Sequence, residues 1–396
     1  MPAPRPSDIC LSVRGFGPNN GTLEDALALM DALRPTRLEW SYITDRDPIT
    51  RFRAITPVFV AALNTISPPG RARSFTGEPV IAPWMTRFGT PDARATYICQ
   101  NNPRDLQSRV RQAVALIADE VTDCFQFDDW YGNAQMIDFG NCCFCRHCRR
   151  EFAAELGIDF DYQRYLRGRG FTHYAQIREA AERGEVPLWD DYQRFQQRTV
   201  TRFFRTLRTQ LEQALGRPVT LSVNGSVLHF GGDIRRVLPL VDYLHSETPD
   251  FQPGTLLKLA EASRELETTQ IVSFFPTVAA SDYHDPDFVG TVNQAIGLSY
   301  CLGLLPLFPY DVYAGNEPDG ALKARWFGAW EEYRGPYETV RAHPEWFDDY
   351  AWASCTIGDD GDVTVLSHHR QDPARRLRHT LSPDGSWRTE VLPPAS

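Results

Sequence analysis

Over the first roughly 345 residues, runs alternating apolar and polar positions with a period of two are separated by stretches of helical spacing, the pattern of repeated strand–helix units. Residues 9–16 alternate cleanly, with Ile9, Leu11 and Val13 on one face and Cys10, Ser12 and Arg14 on the other. Thr22 then stands as an N-cap before a helical run that carries Glu24 and Asp25 in its first turn. Strand two, 36–43, sets Leu38, Trp40 and Tyr42 against Glu39 and Ser41, and strand three aligns Val58, Val60, Ala62 and Asn64. Strand four starts at Cys124, with Phe125 and Phe127 suited to a helix-facing layer and Cys124, Gln126 and Asp128 pointing inward.

Strand five turns Thr220, Ser222 and Asn224 inward, and strand six lines up Val241, Tyr243, His245 and Glu247. Strand seven is read at 268–276, strand eight at 303–313 ending near Asp311, and a helix with Pro286 in its first turn lies between them. A long amphipathic helix before strand five carries Phe195, Phe203, Phe204 and Leu207 on its apolar side, spacing that means core packing. Eight such units make an α/β fold, a (β/α)8 TIM barrel with loop insertions. Past about residue 350 the text changes to short alternating runs with Asp-Gly turns, a small C-terminal antiparallel β appendage. The expected division is 1–347 for the barrel, including an insertion at 130–190, and 348–396 for the β domain.

Composition narrows the function. A net charge of −10 argues against nucleic acid. No stretch approaches the ~20 apolar residues that span a bilayer, and the N-terminus has no signal-peptide core, so a cytoplasmic location is expected. Nine cysteines, several spaced as metal ligands, fit a reducing compartment.

The segment Cys143-x-Cys145-x-x-Cys148 places three sulfurs at zinc-ligand spacing. Cys99, Cys142 and His147 are candidates for a fourth ligand; Cys99 is preferred because it would pin the 66–104 insertion to this loop. Disulfides or unpaired structural thiols are the alternatives. The run C-F-C-R-H-C-R-R-E-F resembles the cysteine segment of the family 42 β-galactosidases, and the separation of Cys99 from Cys143 is similar to theirs. The resemblance implies a structural zinc at Cys99, Cys143, Cys145 and Cys148 in a glycosidase barrel, with no organic cofactor.

The likeness does not extend to that family's catalytic glutamates. Trp130 falls where the strand-four glutamate should be, and strand seven, around Ser273, has no acid. The chain more nearly resembles predicted barrel glycosidases with an aspartate on strand four and a glutamate closing strand six. The inward strand tips are Arg14, Glu39, Asn64, Asp128, Asn224, His245, Glu247 and Asp311, flanked by Trp40, Trp84, Trp130, Tyr131, Tyr310 and Tyr313. Sugars need this mixture, since hydroxyls take carboxylate and amide partners while ring C–H faces take aromatic platforms.

The expectation is a retaining, exo-acting glycoside hydrolase with Asp128 as nucleophile and Glu247 as acid/base. Asp129, beside Asp128, is the competing carboxylate. Substrate contacts are expected from Arg14, Glu39, Trp40, Asn64, Asp129, Trp130, Tyr131, Asn224, His245 and Asp311. The expected partner is an oligosaccharide or glycoside, and self-association into a homo-oligomer is left open. Two other readings compete: a transferase whose zinc–thiolate site activates a substrate thiol, and a sugar-binding barrel without turnover.

Overall fold

The structure, a computed structural model, describes residues 3–13, 15, 22–64, 71–81, 96–118, 122, 124–128, 132–138, 140–225, 234–248, 252–274, 285–309 and 330–394. Eight parallel strands close a barrel in sequence order. They are β1 (Cys10–Ser12), β2 (Arg37–Ser41), β3 (Val58–Asn64), β4 (Cys124–Asp128), β5 (Thr220–Asn224), β6 (Tyr243–Thr248), β7 (Gln270–Phe274) and β8 (Leu305–Pro309). Parallel neighbours need crossovers, and helices supply most of them: Leu23–Leu33, Arg46–Arg53, Pro103–Ala118, Trp189–Leu215, Pro253–Glu265 and Pro286–Cys301. Between β5 and β6 the described residues form two 3-10 turns, Ile234–Arg236 and Leu238–Leu240.

Local signals sit where the sequence puts them. Thr22 caps the first helix in a reciprocal box with Asp25. Pro286 opens the helix after β7, behind an Asp285 cap. The strand faces sort as alternation requires: Phe127 packs edge-on against Phe204 of the long helix at 5.6 Å, while the Cys124 Sγ turns inward, 3.4 Å from the Tyr243 hydroxyl. Phe195, Phe203, Phe204 and Leu207 are all buried.

A second apolar cluster lies apart from the barrel core. It joins Ala72, Phe75, Val80, Tyr97 and Cys99 to the helices Arg146–Leu156, Tyr162–Gly168 and Tyr174–Glu182, and to the start of the long helix at Trp189 and Tyr192. The two insertions after β3 and β4 therefore fold together into one packed body.

A separate antiparallel sheet follows, ordered β12-β11-β10-β9, from β9 (Tyr350–Ile357), β10 (Val363–His369), β11 (Arg376–Leu381) and β12 (Trp387–Leu392). It leans on the helix Pro286–Cys301, where Gly290 and Gly297 allow close approach: a Cβ on Gly290 would stand 2.5 Å from the Pro383 carbonyl oxygen. The Gln294 amide donates to the Leu381 carbonyl at 3.1 Å. No helix among the described residues is long and apolar enough to cross a membrane.

His379, in β11, is 1% exposed and ringed by Phe347 and Trp387. Burial pulls its pKa from 6.5 down to about 4. The folded chain thus keeps the ring neutral where the unfolded chain protonates it. The sign follows: this group costs nothing above pH 6.5 and removes stability as pH falls from about 6.5 to about 4, up to roughly 3 kcal/mol. Urea midpoints across that window should fall more steeply for the wild type than for His379→Gln.

Candidate active site and thiolate cluster

Interior side chains of an eight-stranded barrel stack in layers drawn from alternate strands, and each layer climbs by about one residue per strand relative to the hydrogen-bonded ladder when the shear is eight. Asp128 follows Phe127, which pairs with Val223, and Asn224 pairs with His245. The ladder level of Asp128 on β6 is therefore His245, and its layer, two strands on, meets β6 at Glu247. Both carboxylates belong to the topmost layer, and each is half-buried.

Among the described residues, Asn224 and Tyr42 hold Asp128. The Asn224 amide donates to its Oδ1 at 2.7 Å, and the Tyr42 hydroxyl donates to its Oδ2. Tyr42 also accepts from the Trp40 indole N–H at 3.1 Å.

Strict alternation assigns Trp40 and Tyr42 to the face opposite Glu39, and the structure corrects this. Between Leu38 and Ser41 the β2–β3 register slips, three steps on β2 matching two on β3. Trp40 takes a left-handed φ of 54°, a conformation that is uncommon for a bulky residue and strained by about 1–3 kcal/mol. This β-bulge re-aims the strand. Trp40 meets His245 edge-on at 5.9 Å, and Tyr42 arrives above Asp128.

Beneath lies a buried polar network. Arg37 Nε donates to Glu39 Oε1 at 2.7 Å, and the Tyr243 hydroxyl donates to Glu39 Oε2 at 2.9 Å. His245 Nε2 lies 3.2 Å from Glu39 Oε2, within ion-pair distance but off the hydrogen-bond direction. Burial opposes ionisation of Glu39, yet the Arg37 guanidinium and His245 more than offset it and hold the carboxyl below its usual range. Arg37 is raised in turn: burial works against its charge, and Glu39 outweighs that. Glu39 is fully buried one layer below Asp128. Replacing it by glutamine leaves the Arg37 guanidinium with Asp8, 3.9 Å away, as its counter-charge. Glu39→Gln should cost about 3–5 kcal/mol in urea unfolding, and Arg37→Met in the same chain should recover part of that.

The insertion holds the second constellation. The sulfurs of Cys99, Cys143, Cys145 and Cys148 all lie within 4.8 Å of one another. Cys99 Sγ is 3.4 Å from both Cys145 Sγ and Cys148 Sγ. Tetrahedral thiolates around an ion at ~2.3 Å would stand about 3.8 Å apart, close to the spacing of this set. The surroundings suit thiolates too: the amides of Asn101 and Asn133 point at Cys148 Sγ at 3.3 and 3.4 Å. Burial pushes the Cys99 and Cys143 thiols well up, whereas hydrogen bonds from Cys143 and Cys148 hold Cys145 far below its ordinary value. Cys142 stands outside the set, 3.7 Å from the Tyr174 hydroxyl, and His147 lies on the surface side of the helix Arg146–Leu156.

No family model matches this chain, and no curated protein matches it. Solved structures do. A β-galactosidase from the Antarctic haloarchaeon Halorubrum lacusprofundi aligns with a TM-score of 0.54 at 12% identity, over 84% of this chain and 58% of that one. A β-galactosidase from the psychrophilic Marinomonas ef1 gives 0.54 at 14%, over 85% and 60%. An α-amylase from Anoxybacillus gives 0.50 at 10%, over 99% of each. These neighbours are glycoside hydrolases. At such identities the likeness is one of fold, and the chain spans less than two thirds of the length of the two β-galactosidases.

The barrel also offers polar atoms without protein partners among the described residues. Both amide atoms of Gln126, the Ser222 hydroxyl, Asn224 Oδ1 and His245 Nδ1 are buried and unpaired. Each such group costs about 1–3 kcal/mol if left dry, so this interior is set up for a polar occupant. Arg14, Asp129, Trp130, Tyr131 and Asp311, with Trp84, Tyr310 and Tyr313, lie outside the described residues. Asn64 occupies the ladder position opposite Asp128.

Proposed function

We propose that this chain is a retaining, exo-acting glycoside hydrolase, with Asp128 as nucleophile, Glu247 as acid/base and zinc as the structural ion of the four-cysteine cluster. The observation that carries the reading is the grip of Tyr42 and Asn224 on Asp128, in a strand register whose interior layering assigns Glu247, two strands away, to the same layer. Strands ~4.8 Å apart set the two backbones about 9–10 Å from each other, and inward-leaning side chains narrow the gap toward the ~5 Å of retaining enzymes.

The chemistry runs in two displacements. Glu247 gives its proton to the glycosidic oxygen as that C–O bond breaks, and Asp128 Oδ forms a bond to the anomeric carbon. Glu247, now ionised, takes a proton from water, whose oxygen displaces Asp128 and restores both groups. Hydrogen bonds from Tyr42 and Asn224 orient the Asp128 carboxylate toward the anomeric carbon. The unpaired atoms of Asn224, Gln126 and His245 supply hydroxyl partners beneath the reacting carbon, which suits one terminal sugar held end-on. The zinc–thiolate transferase is disfavoured, because four sulfurs close the coordination sphere and leave no position for a substrate thiol.

The test is hydrolysis of a panel of aryl α- and β-glycosides by the wild type, Asp128→Asn and Glu247→Gln, with folding checked by circular dichroism. Cleavage of one glycoside that both substitutions abolish supports the reading. Absence of cleavage across the panel, or cleavage that survives both changes, removes it and leaves a binding barrel or a different site.

A further inference from the structure

The insertion carries a groove that the proposed chemistry does not use. It has a cavity volume of about 620 Å³ and opens to solvent beside the thiolate cluster. Arg71, Arg73, Arg104, Arg146 and Arg149 line it together with His147, and among the described residues no aspartate or glutamate does. In a chain of net charge −10, this gathers positive charge against the sign of the whole molecule.

These arginines are held by rigid elements. Arg71 and Arg73 extend from a segment tied by backbone bridges to Ile98 and Pro79. Arg104 lies in the first turn of the helix Pro103–Ala118, and Arg146 opens the helix Arg146–Leu156, whose N-cap Cys145 makes no side-chain capping bond. Cations at helix N-termini oppose the macrodipole by about 0.3–1 kcal/mol each. Two helices thus bring unfavourable charge to one groove, and an anion there would reverse the sign of that interaction. Among the described residues the only carboxylate ion-paired to any of the five is Asp161, on Arg149, whose Nε remains buried without a partner.

We infer that this groove binds a short ligand carrying two or more oxyanion groups, whether sulfate, phosphate or carboxylate. Guanidiniums meet such groups in bidentate pairs, and five of them around one space fit more than a single monoanion. The negative field of the rest of the chain disfavours a long polyanion. The inference stands apart from the hydrolase reading, because binding is its readout.

The experiment is calorimetric titration of the full-length, metal-loaded protein with four probes at low and at physiological salt. They are tripolyphosphate, a disulfated disaccharide, a disaccharide of two uronates and a neutral disaccharide of the same size. At least one anionic probe should bind and the neutral one should not, with affinity falling as salt rises; which anion binds names the source. Arg71→Gln/Arg104→Gln should weaken binding at least tenfold, and Arg71→Lys/Arg104→Lys should restore part of it. Arg104 is exposed, so Arg104→Gln alone gives a folded control with a smaller loss. Failure of every anionic probe to bind, or equal affinity in the glutamine variants, overturns the inference. So does loss of metal and early melting in those variants without any effect of anion, since the arginines would then be counter-charges to the thiolate cluster.

Discussion

Asp128→Asn is expected to lower turnover on the responsive glycoside by about 10³-fold or more, roughly 4 kcal/mol of transition-state stabilisation, with the fold intact. The asparagine is nearly isosteric and can still accept from Tyr42 or Asn224, so the interior layer keeps its shape. What it loses is the negative charge that bonds to the anomeric carbon. Glu247→Gln should behave differently. A substrate whose leaving group is already a weak base, such as a dinitrophenol, needs little protonation and should retain far more activity than one with an alkoxide leaving group. Stopped assays on the two substrate types separate the roles: a nucleophile variant is slow on both, an acid variant chiefly on the second. Equal losses for both variants on both substrates would contradict the assignment.

Removing the ion from the four-cysteine cluster should produce the largest change in stability. Structural zinc sites contribute on the order of 10 kcal/mol of apparent binding energy, released as folding energy. With the proposed zinc bound, that energy would join the segment around Cys99 to the helix Arg146–Leu156 through Cys145 and Cys148, in the same apolar body as Phe144, Phe152 and Tyr192. A strong chelator, or Cys99→Ser, should lower the melting temperature by ten degrees or more and expose the insertion to protease before the barrel. Cys142→Ser should do much less, because that thiol lies outside the cluster. Metal content by plasma emission, read beside calorimetric melting, checks both statements. A Cys99→Ser protein with full metal and unchanged melting would show that three sulfurs suffice.

Much of this arrangement is legible in the chain, for physical reasons. A buried parallel barrel imposes period-two sorting on every strand, so Cys124, Gln126 and Asp128 fall inward and Phe127 meets a helix. Thiol spacing fixes the metal loop because three ligands are local, and a single remote cysteine then completes the set. What alternation misses is the bulge at Trp40: no glycine or asparagine marks a left-handed residue there, so neither the arrival of Tyr42 at Asp128 nor the contact of Trp40 with His245 follows from the pattern. The pairing of Glu39 with Arg37 was equally hidden. Both sit on β2 two residues apart, and only the barrel interior turns that spacing into an ion pair.

The most direct test of the central claim is trapping. The 2-deoxy-2-fluoro analogue of the responsive glycoside, carrying a good leaving group, slows both displacements but the second more, so a covalent intermediate accumulates. Peptide mass spectrometry should find the fluorosugar on Asp128 in the wild type and no adduct in Asp128→Asn. A label on another carboxylate, or turnover that inverts the anomeric centre with no adduct, would contradict Asp128 as the nucleophile of a retaining hydrolase.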